Sequence, residues 1–125
     1  MTYLDTHTAI FLCEGNLRSL SSKGIAQLDR ENDIRLSPMV LLEMELLHEI
    51  GRIKWQPDRI VAALETDLGA YVCRRSFPDV VRQAATERWT RDPFDRLIVA
   101  QARLSDAALI TLDALIQENY KRALG

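Results

Sequence analysis

The 125-residue sequence contains few cysteines, glycines and prolines. Two cysteines, Cys13 and Cys73, are too few for a four-ligand zinc site and argue against a disulfide framework. With five glycines, four prolines, 47% hydrophobic and 27% charged residues, the chain has no low-complexity or disorder bias. This composition predicts a compact protein with a single domain over residues 1–125.

Long apolar segments are also missing. No run approaches the roughly 20 residues that a membrane span needs, so no membrane association is expected. The first residues contain an acid, Asp5, and no basic cluster, which is not the pattern of a signal peptide. We therefore expect a cytoplasmic protein in a reducing environment.

Signatures of nucleophilic and nucleotide-binding sites are absent as well. His7 and His48 are the only histidines, and there is no Ser-His-Asp order, Gly-rich phosphate loop or Cys-x-x-Cys pair. His48 falls on the predicted solvent face of a helix, and His7 lies at a helix start, where a lone histidine is usually structural. Carboxylates are the remaining candidates for chemistry.

The net charge of −2 argues against a protein that coats nucleic acid by bulk positive charge. The charge is uneven, however, because residues 51–125 carry twelve basic and ten acidic groups while residues 1–50 carry four and eight. Six arginines lie between Arg74 and Arg96, and the arginine fork suits phosphate oxygens. An equal alternative to phosphate binding is that the arginine content reflects only the nucleotide base composition of the gene.

Alternating apolar runs and helical patterns predict an α/β domain with a small parallel sheet of about four to five strands flanked by helices in three layers. Strands are predicted at residues 3–4, 34–36, 70–73 and 107–112. Helices are predicted to follow Asp5 and to cover residues 21–32, 38–50, 58–68, 77–86, 93–104 and 114–122. Ser37-Pro38 and Asp92-Pro93 are strong helix starts, and Asp58 is predicted to cap the helix over 58–68.

Glu43 has an unusual position on the helix over residues 38–50. At 100° per residue, Glu45, His48, Glu49 and Arg52 form the solvent stripe, whereas Glu43 falls among Met39, Val40, Leu46, Leu47 and Ile50. A buried carboxylate is costly unless it is paired, protonated or bound to a metal. Glu43 is therefore a candidate site residue, although pairing with a buried arginine would explain it too.

Asp95 is a second acid on an apolar helix face, together with Ile98, Val99 and Ala102. Its alternative role is the returning acid of a capping box. Asp92, immediately before Pro93, is better explained as the helix N-cap than as a site residue.

Asp5 and Asp113 follow predicted strands, and ligands of open parallel sheets bind at the carboxyl ends of the strands. Thr6 and Thr111 flank these acids and would orient ligands or water, or merely cap helices. Four carboxylates in one place repel one another and require a compensating cation. Oxygen-only ligands favour Mg²⁺ or Mn²⁺.

These acids and their settings resemble the PIN-domain nuclease family, and within it the VapC-type toxins of toxin–antitoxin pairs, over nearly the whole chain. RDPFDRLIVAQA is the most specific match, with Asp95 as the family's third acid and Asp92 as its companion. The other three motifs are YLDTHTAIFL with Asp5, LSPMVLLEMELLHEIGRI with Glu43, and LITLDALIQENY with Thr111 and Asp113. The second motif lacks the Trp that relatives often carry before the Glu.

The resemblance implies a Mg²⁺- or Mn²⁺-dependent endoribonuclease. Asp5, Asp95 and Asp113 would be the nearest metal ligands, and Glu43 would bind directly or position water. Arg91 and Arg96 are the candidates for contacts with substrate phosphates.

The family also implies a homodimer and a cognate antitoxin, to whose surfaces Trp55, Phe77 and Trp89 would belong if they are not core residues. An RNA-processing role without toxicity and a non-catalytic binding module are the alternatives within this fold. A phosphatase or receiver domain with Asp5 as phosphoacceptor fits poorly, because His7 stands where such phosphatases need a second acid. A receiver needs a lysine near its pocket, and the three lysines of this sequence, Lys23, Lys54 and Lys121, fit that role poorly.

Overall fold

The computed structural model describes residues 1–125 and contains a five-stranded sheet in which every pairing is parallel. The strands are β1 (Thr2–Leu4), β2 (Ile34–Leu36), β3 (Tyr71–Val72), β4 (Ala108–Ile110) and β5 (Ala123–Leu124). Their spatial order is β3-β2-β1-β4-β5. Seven helices flank the sheet: α1 (Thr6–Cys13), α2 (Ser22–Arg30), α3 (Pro38–Glu49), α4 (Pro57–Leu68), α5 (Phe77–Ala84), α6 (Pro93–Leu104) and α7 (Ala114–Asn119).

The strand order creates a crevice beside β1. From β1 the chain proceeds to β2 and β3 on one side, whereas β4 and β5 lie on the other side. Leu4 pairs with Leu36 on β2 and with Ile110 on β4, so the three strands end at the same level. In open α/β sheets, ligands bind outside the carboxyl ends of the strands where the order reverses. Here that position lies between the ends of β1 and β4.

The core holds the sheet and two site-bearing helices in place. Every residue of β1 and β4 is buried, as expected for a parallel sheet that is covered on both faces. Val40 and Met44 of α3 and Ile98 and Val99 of α6 are at most 2% exposed and belong to the same cluster as the strands. Helices α3 and α6 also pack against each other. Their first turns are therefore fixed relative to the crevice.

Short polar side chains begin five of the helices. The N-caps accept hydrogen bonds from backbone N–H groups of the first turn, and they are Asp5 for α1, Ser21 for α2, Ser37 for α3, Asp92 for α6 and Asp113 for α7. Proline follows at the first position of α3 and α6, where its missing N–H costs nothing. The predicted helix starts at Ser37 and Asp92 are confirmed.

The predicted fold class and the four predicted strands are confirmed, but three local predictions are wrong. The helix over 114–122 ends at Asn119, and Ala123–Leu124 instead pairs with β4 as a strand too short to show a period. Asp58 lies in the first turn of α4 and does not cap it, because the helix begins at Pro57 with Gln56 before it. None of the helices combines the length and apolar composition that a membrane span requires.

The third wrong prediction concerns the faces of α3. Leu46 and Ile50, expected beside Glu43 on the buried face, are 40% and 68% exposed, and His48, expected on the solvent stripe, is half-buried. The core buries Val40 and Met44 of α3 fully and covers Met39, Leu41 and Leu47 in part, so it does not extend to Leu46 and Ile50. Glu43 is half-buried.

Candidate active site

Five carboxylates line one cavity of about 450 Å³ in the crevice between the ends of β1 and β4. They are Asp5, Glu43, Asp92, Asp95 and Asp113. No lysine or arginine lines the cavity, and His7 is the only basic side chain in its wall. The structure thus brings together all four acids expected from the sequence, with Asp92 as a fifth. The chain itself supplies almost no charge to balance them.

Asp5 is held between two strands. It follows β1, is 7% exposed, and its Oδ1 accepts a hydrogen bond from the Thr8 backbone N–H at 2.9 Å. The hydroxyl of Thr111, which follows β4, donates to Oδ2. Burial raises the pKa of Asp5, and the hydrogen bonds from Thr111 and Thr8 oppose that rise by favouring the ionised form. Both carboxylate oxygens of Asp5 are therefore oriented by hydrogen bonds within the chain.

Glu43 reaches the cavity from α3. The Thr6 hydroxyl, in the first turn of α1, donates a hydrogen bond to Glu43 Oε1. Burial raises the pKa of Glu43, whereas this hydrogen bond lowers it. No arginine pairs with Glu43, so the ion-pair explanation of its position is wrong. Glu43 instead lines the same cavity as Asp5.

Asp92 and Asp95 have different roles at the start of α6. Asp92 Oδ1 accepts from the backbone N–H groups of Phe94 at 2.8 Å and Asp95 at 3.2 Å, so the N-cap prediction is confirmed. The Asp92 N–H donates to Thr90 Oγ1 and not to Asp95, which excludes a capping box. Asp95 instead turns into the cavity. Burial raises its pKa to about 7, with the negative charges of Asp92, Asp113, Glu43 and Asp5 adding to the effect.

Asp113 completes the wall from the end of β4. Its Oδ1 accepts from the backbone N–H groups of Leu115 at 2.8 Å and Ile116 at 3.3 Å, which caps α7. Its own N–H donates to Thr111 Oγ1 at 3.1 Å. Thr111 therefore connects both strand-end acids, and the Thr-x-Asp spacing follows from this geometry.

Residues 2–122 match the family model of the PIN domain. The chain belongs to the PIN-domain family. Members of this family are generally nucleases. Among solved structures, the chain is similar to a toxin-antitoxin complex from Klebsiella pneumoniae, with 18% sequence identity, a TM-score of 0.68, and coverage of 100% of this chain and 97% of that one. At this identity the likeness shows the shared fold alone. No curated protein matches the chain.

Two arginines predicted beside the site of this PIN domain are not in its wall. Arg91 is exposed, and Arg96 directs its Nε to the Thr90 carbonyl oxygen at 2.7 Å. Two other residues, His7 and Phe11, do line the cavity and form a tilted aromatic pair with ring centroids 6.4 Å apart. Their spacing of four residues on α1 is the only sequence signal that places them on one face.

The chemistry of the PIN-domain cavity suits a hard divalent cation. Its donors are carboxylate and hydroxyl oxygens, the ligands that Mg²⁺ and Mn²⁺ prefer. In this arrangement no three acidic or histidine side chains are positioned to hold one ion together. Burial raises the pKa of Asp95, and the repulsion of the neighbouring carboxylates Asp92, Asp113, Glu43 and Asp5 raises it further. A bound cation would relieve this repulsion directly.

Proposed function

We propose that this PIN-domain protein is a Mg²⁺- or Mn²⁺-dependent endoribonuclease and the toxin of a toxin–antitoxin pair. The observation that carries the proposal is the convergence of five carboxylates on one cavity with no arginine or lysine in its wall. Such a cavity repels a phosphodiester unless a cation intervenes. Members of the family are generally nucleases, which agrees with this chemistry.

The residues proposed to hold the cation are Asp5, Asp95 and Asp113, with Glu43 binding it or positioning water. A divalent ion lowers the pKa of a bound water and stabilises the charge that develops on the phosphate. Thr111 and Thr6 keep Asp5 and Glu43 in place by hydrogen bonds. Because burial raises the pKa of Asp95 to about 7, a cation that binds Asp95 near neutral pH replaces a proton. No histidine is needed as a general base.

A toxin role is supported by the similarity to a solved toxin-antitoxin complex. The homodimer expected of such a toxin is supported by an exposed apolar row on α3, in which Leu42, Leu46 and Ile50 are 48%, 40% and 68% exposed. Their spacing of four residues places them on one face of the helix. We propose that this row contacts a second copy of the chain, as expected for a homodimer. The RNA substrate and the antitoxin would be encountered in the cytoplasm.

The nuclease proposal is tested by incubating purified protein with a single-stranded RNA in Mg²⁺, in Mn²⁺ and in excess EDTA. We expect cleavage that requires the divalent ion and is lost on Asp95→Asn. Asp29→Asn is the matched control, because Asp29 is an exposed aspartate of α2 outside the cavity. Cleavage that persists in EDTA or in Asp95→Asn would exclude the proposed site.

The toxin proposal is tested by inducing the chain in cells alone and together with the product of a neighbouring gene. Growth arrest that the neighbour relieves and Asp5→Ala abolishes is the expected result. Metal-dependent cleavage without arrest would instead indicate an RNA-processing nuclease. The absence of both cleavage and Mn²⁺ binding by calorimetry would indicate a non-catalytic binding module.

A further inference from the structure

A groove that is basic where the carboxylate cavity is acidic lies next to that cavity. His7 and Phe11 line both the carboxylate cavity and a neighbouring cavity of about 460 Å³. That second cavity shares Lys54 and Trp55 with a third of about 380 Å³, which Arg59 also lines. The second and third cavities together are named the Trp55 groove. Because the cavities share wall residues, the groove adjoins the candidate active site.

The walls of the Trp55 groove come from α1, from the ends of α3 and α4 that face it, and from the connection between α3 and α4. In this connection Gly51 has φ +77° and turns the chain. This left-handed conformation favours glycine. The turn places residues 52–55 opposite α1, close to the mouth of the carboxylate cavity.

The charge of the groove is set by three cations and one acid. Arg52, Lys54 and Arg59 line it, and none of the three forms a salt bridge within the chain. Glu14 is the single acid in its wall. The cations are therefore free to bind an external anion. A basic groove that leads away from an acidic cavity suits a polyanion with one phosphate at the metal site and its neighbours along the groove.

Trp55 adds an aromatic surface to these cations. It is 38% exposed, and the Lys54 Nζ and Arg59 Cζ atoms lie 5.4 and 5.2 Å from its ring centroid. Exposed cation–π contacts are weak, and stacking of a nucleobase on an aromatic ring is generally stronger. A base arriving at Trp55 displaces one cation from the ring, and that cation then meets the adjoining phosphate. Aromatic rings interleaved with basic side chains are typical of single-strand recognition.

We infer that the Trp55 groove binds the single-stranded RNA that flanks the scissile phosphate, with a base on Trp55 and phosphates on Arg52, Lys54 and Arg59. The inference rests on the proposed ribonuclease function, because it assigns the substrate of the same site. It also replaces Arg91 and Arg96 as the candidates for phosphate contacts. Single-stranded RNA is favoured over a protein partner because the groove combines unpaired cations with an aromatic ring.

Binding is measured separately from cleavage, so that the two proposals fail independently. Every variant is made in the Asp95→Asn background and titrated in EDTA into a fluorescein-labelled oligouridine of about 12 nucleotides. We expect Trp55→Ala to weaken binding about tenfold and Trp55→Phe to retain affinity within about threefold, because phenylalanine still stacks. Oligouridine should quench the tryptophan fluorescence of the Asp95→Asn protein. It should not quench that of the Asp95→Asn/Trp55→Phe protein, in which Trp89 is the remaining tryptophan.

A pair of double variants separates local contacts from bulk charge. Lys54→Ala/Arg59→Ala should weaken binding about tenfold or more and reduce the slope of log affinity against log salt by about 1.4, or about 0.7 for each phosphate contact. Lys23→Ala/Lys121→Ala removes the same charge from exposed positions outside the groove and should change affinity less than twofold. Circular dichroism establishes that each variant is folded.

Three results would overturn the inference. The first is that both double variants weaken oligouridine binding equally. The second is that Trp55→Ala leaves the affinity for oligouridine unchanged. The third is that the groove variants still bind RNA but no longer bind the product of the neighbouring gene. In the protein with Asp95 intact, Trp55→Ala should raise the KM for cleavage of the single-stranded RNA about tenfold and leave kcat unchanged. Metal-dependent cleavage with no effect of any groove variant would leave the nuclease proposal standing and exclude the Trp55 groove as its RNA site.

Discussion

The hydroxyl of Thr111 donates a hydrogen bond to the carboxylate of Asp5, although the two residues are 106 positions apart in the chain. The contact exists because Leu4 and Ile110 are paired in the parallel sheet and each is followed by a polar residue. The same hydroxyl accepts from the Asp113 backbone N–H. One threonine thus positions both strand-end acids of the proposed metal site.

Thr111→Val should lower RNA cleavage and Mn²⁺ affinity about 10- to 100-fold, the usual cost of losing a side chain that orients a metal ligand. Valine has nearly the same shape but leaves Asp5 Oδ2 without its donor, which raises the pKa of Asp5 further and favours the protonated acid. Thr111→Ser keeps the hydroxyl and should retain most activity. Equal losses in the two variants, measured by cleavage rate and calorimetry, would contradict this role.

Asp95 should make the metal-free protein less stable as the pH rises. Its pKa is about 7 in the fold and 3.8 in the unfolded chain, so folding favours the protonated acid. The stabilising contribution is complete below pH about 4 and is lost as the pH rises through about 7. In thermal melts with EDTA, Asp95→Asn should therefore melt several degrees above the wild type at pH 8.

That difference in melting temperature should shrink towards pH 4, where acid effects shared by both proteins cancel in the comparison. The opposite trend, a gap that widens as the pH falls, would show that Asp95 is ionised and stabilised by a partner within the fold.

Divalent cations should stabilise the native protein. A ligand that binds only the folded state at 100 times its Kd adds about 2.7 kcal/mol to the free energy of unfolding. At pH 8, Mn²⁺ should raise the melting temperature of the wild type and of Asp29→Asn equally, and that of Asp95→Asn much less. If Mn²⁺ does not change the melting temperature of the wild type, a cation site in the carboxylate cavity is excluded.

An ion pair between a buried acid and a partly exposed arginine, away from the cavity, should affect stability alone. Glu87 is 3% exposed and is held by Arg103 Nε at 2.5 Å and by Trp89 Nε1 at 2.7 Å. The Arg103 side chain is 35% exposed, so Arg103→Met, which leaves Glu87 with a single donor, should lower the free energy of unfolding by about 1–3 kcal/mol. Adding Glu87→Gln should restore part of the loss.

Cleavage per folded molecule should be unchanged in these ion-pair variants, because neither Glu87 nor Arg103 lines the cavity. Urea titration and cleavage assays on the same samples separate the two effects. A loss of specific activity in fully folded Arg103→Met would show that α6 transmits the change to Asp95.

The predictions from sequence succeeded where the signal was local. Ser37-Pro38 and Asp92-Pro93 mark helix starts because capping and the fixed φ of proline depend only on neighbouring residues. β5 was missed because its two residues have no period and are held only by β4. Leu46 and Ile50 were expected to be buried because the helical period shows which residues share a face but not how much of that face is covered.

The candidate site divides in the same way. An acid after each of two strands and one in the first turn of α6 were visible in the sequence, because side-chain type and local geometry suffice to suggest them. The Thr6–Glu43 and Thr111–Asp5 hydrogen bonds and the shift in the pKa of Asp95 were not, since each depends on elements far apart in the chain. Likewise Arg91 and Arg96 are near the acids in sequence, yet neither lines the cavity that the acids form.

By itself, the sequence determined the alternation of strands and helices, the helix caps and the identity of the four acids. Short-range backbone preferences and side-chain spacing are enough for these features. Only the tertiary structure decided that the acids share one cavity with Asp92, that the chain supplies no lysine or arginine there, and that a basic groove containing Trp55 adjoins it. These features depend on strand register and helix packing, in which residues distant in the chain become neighbours through burial of a common core.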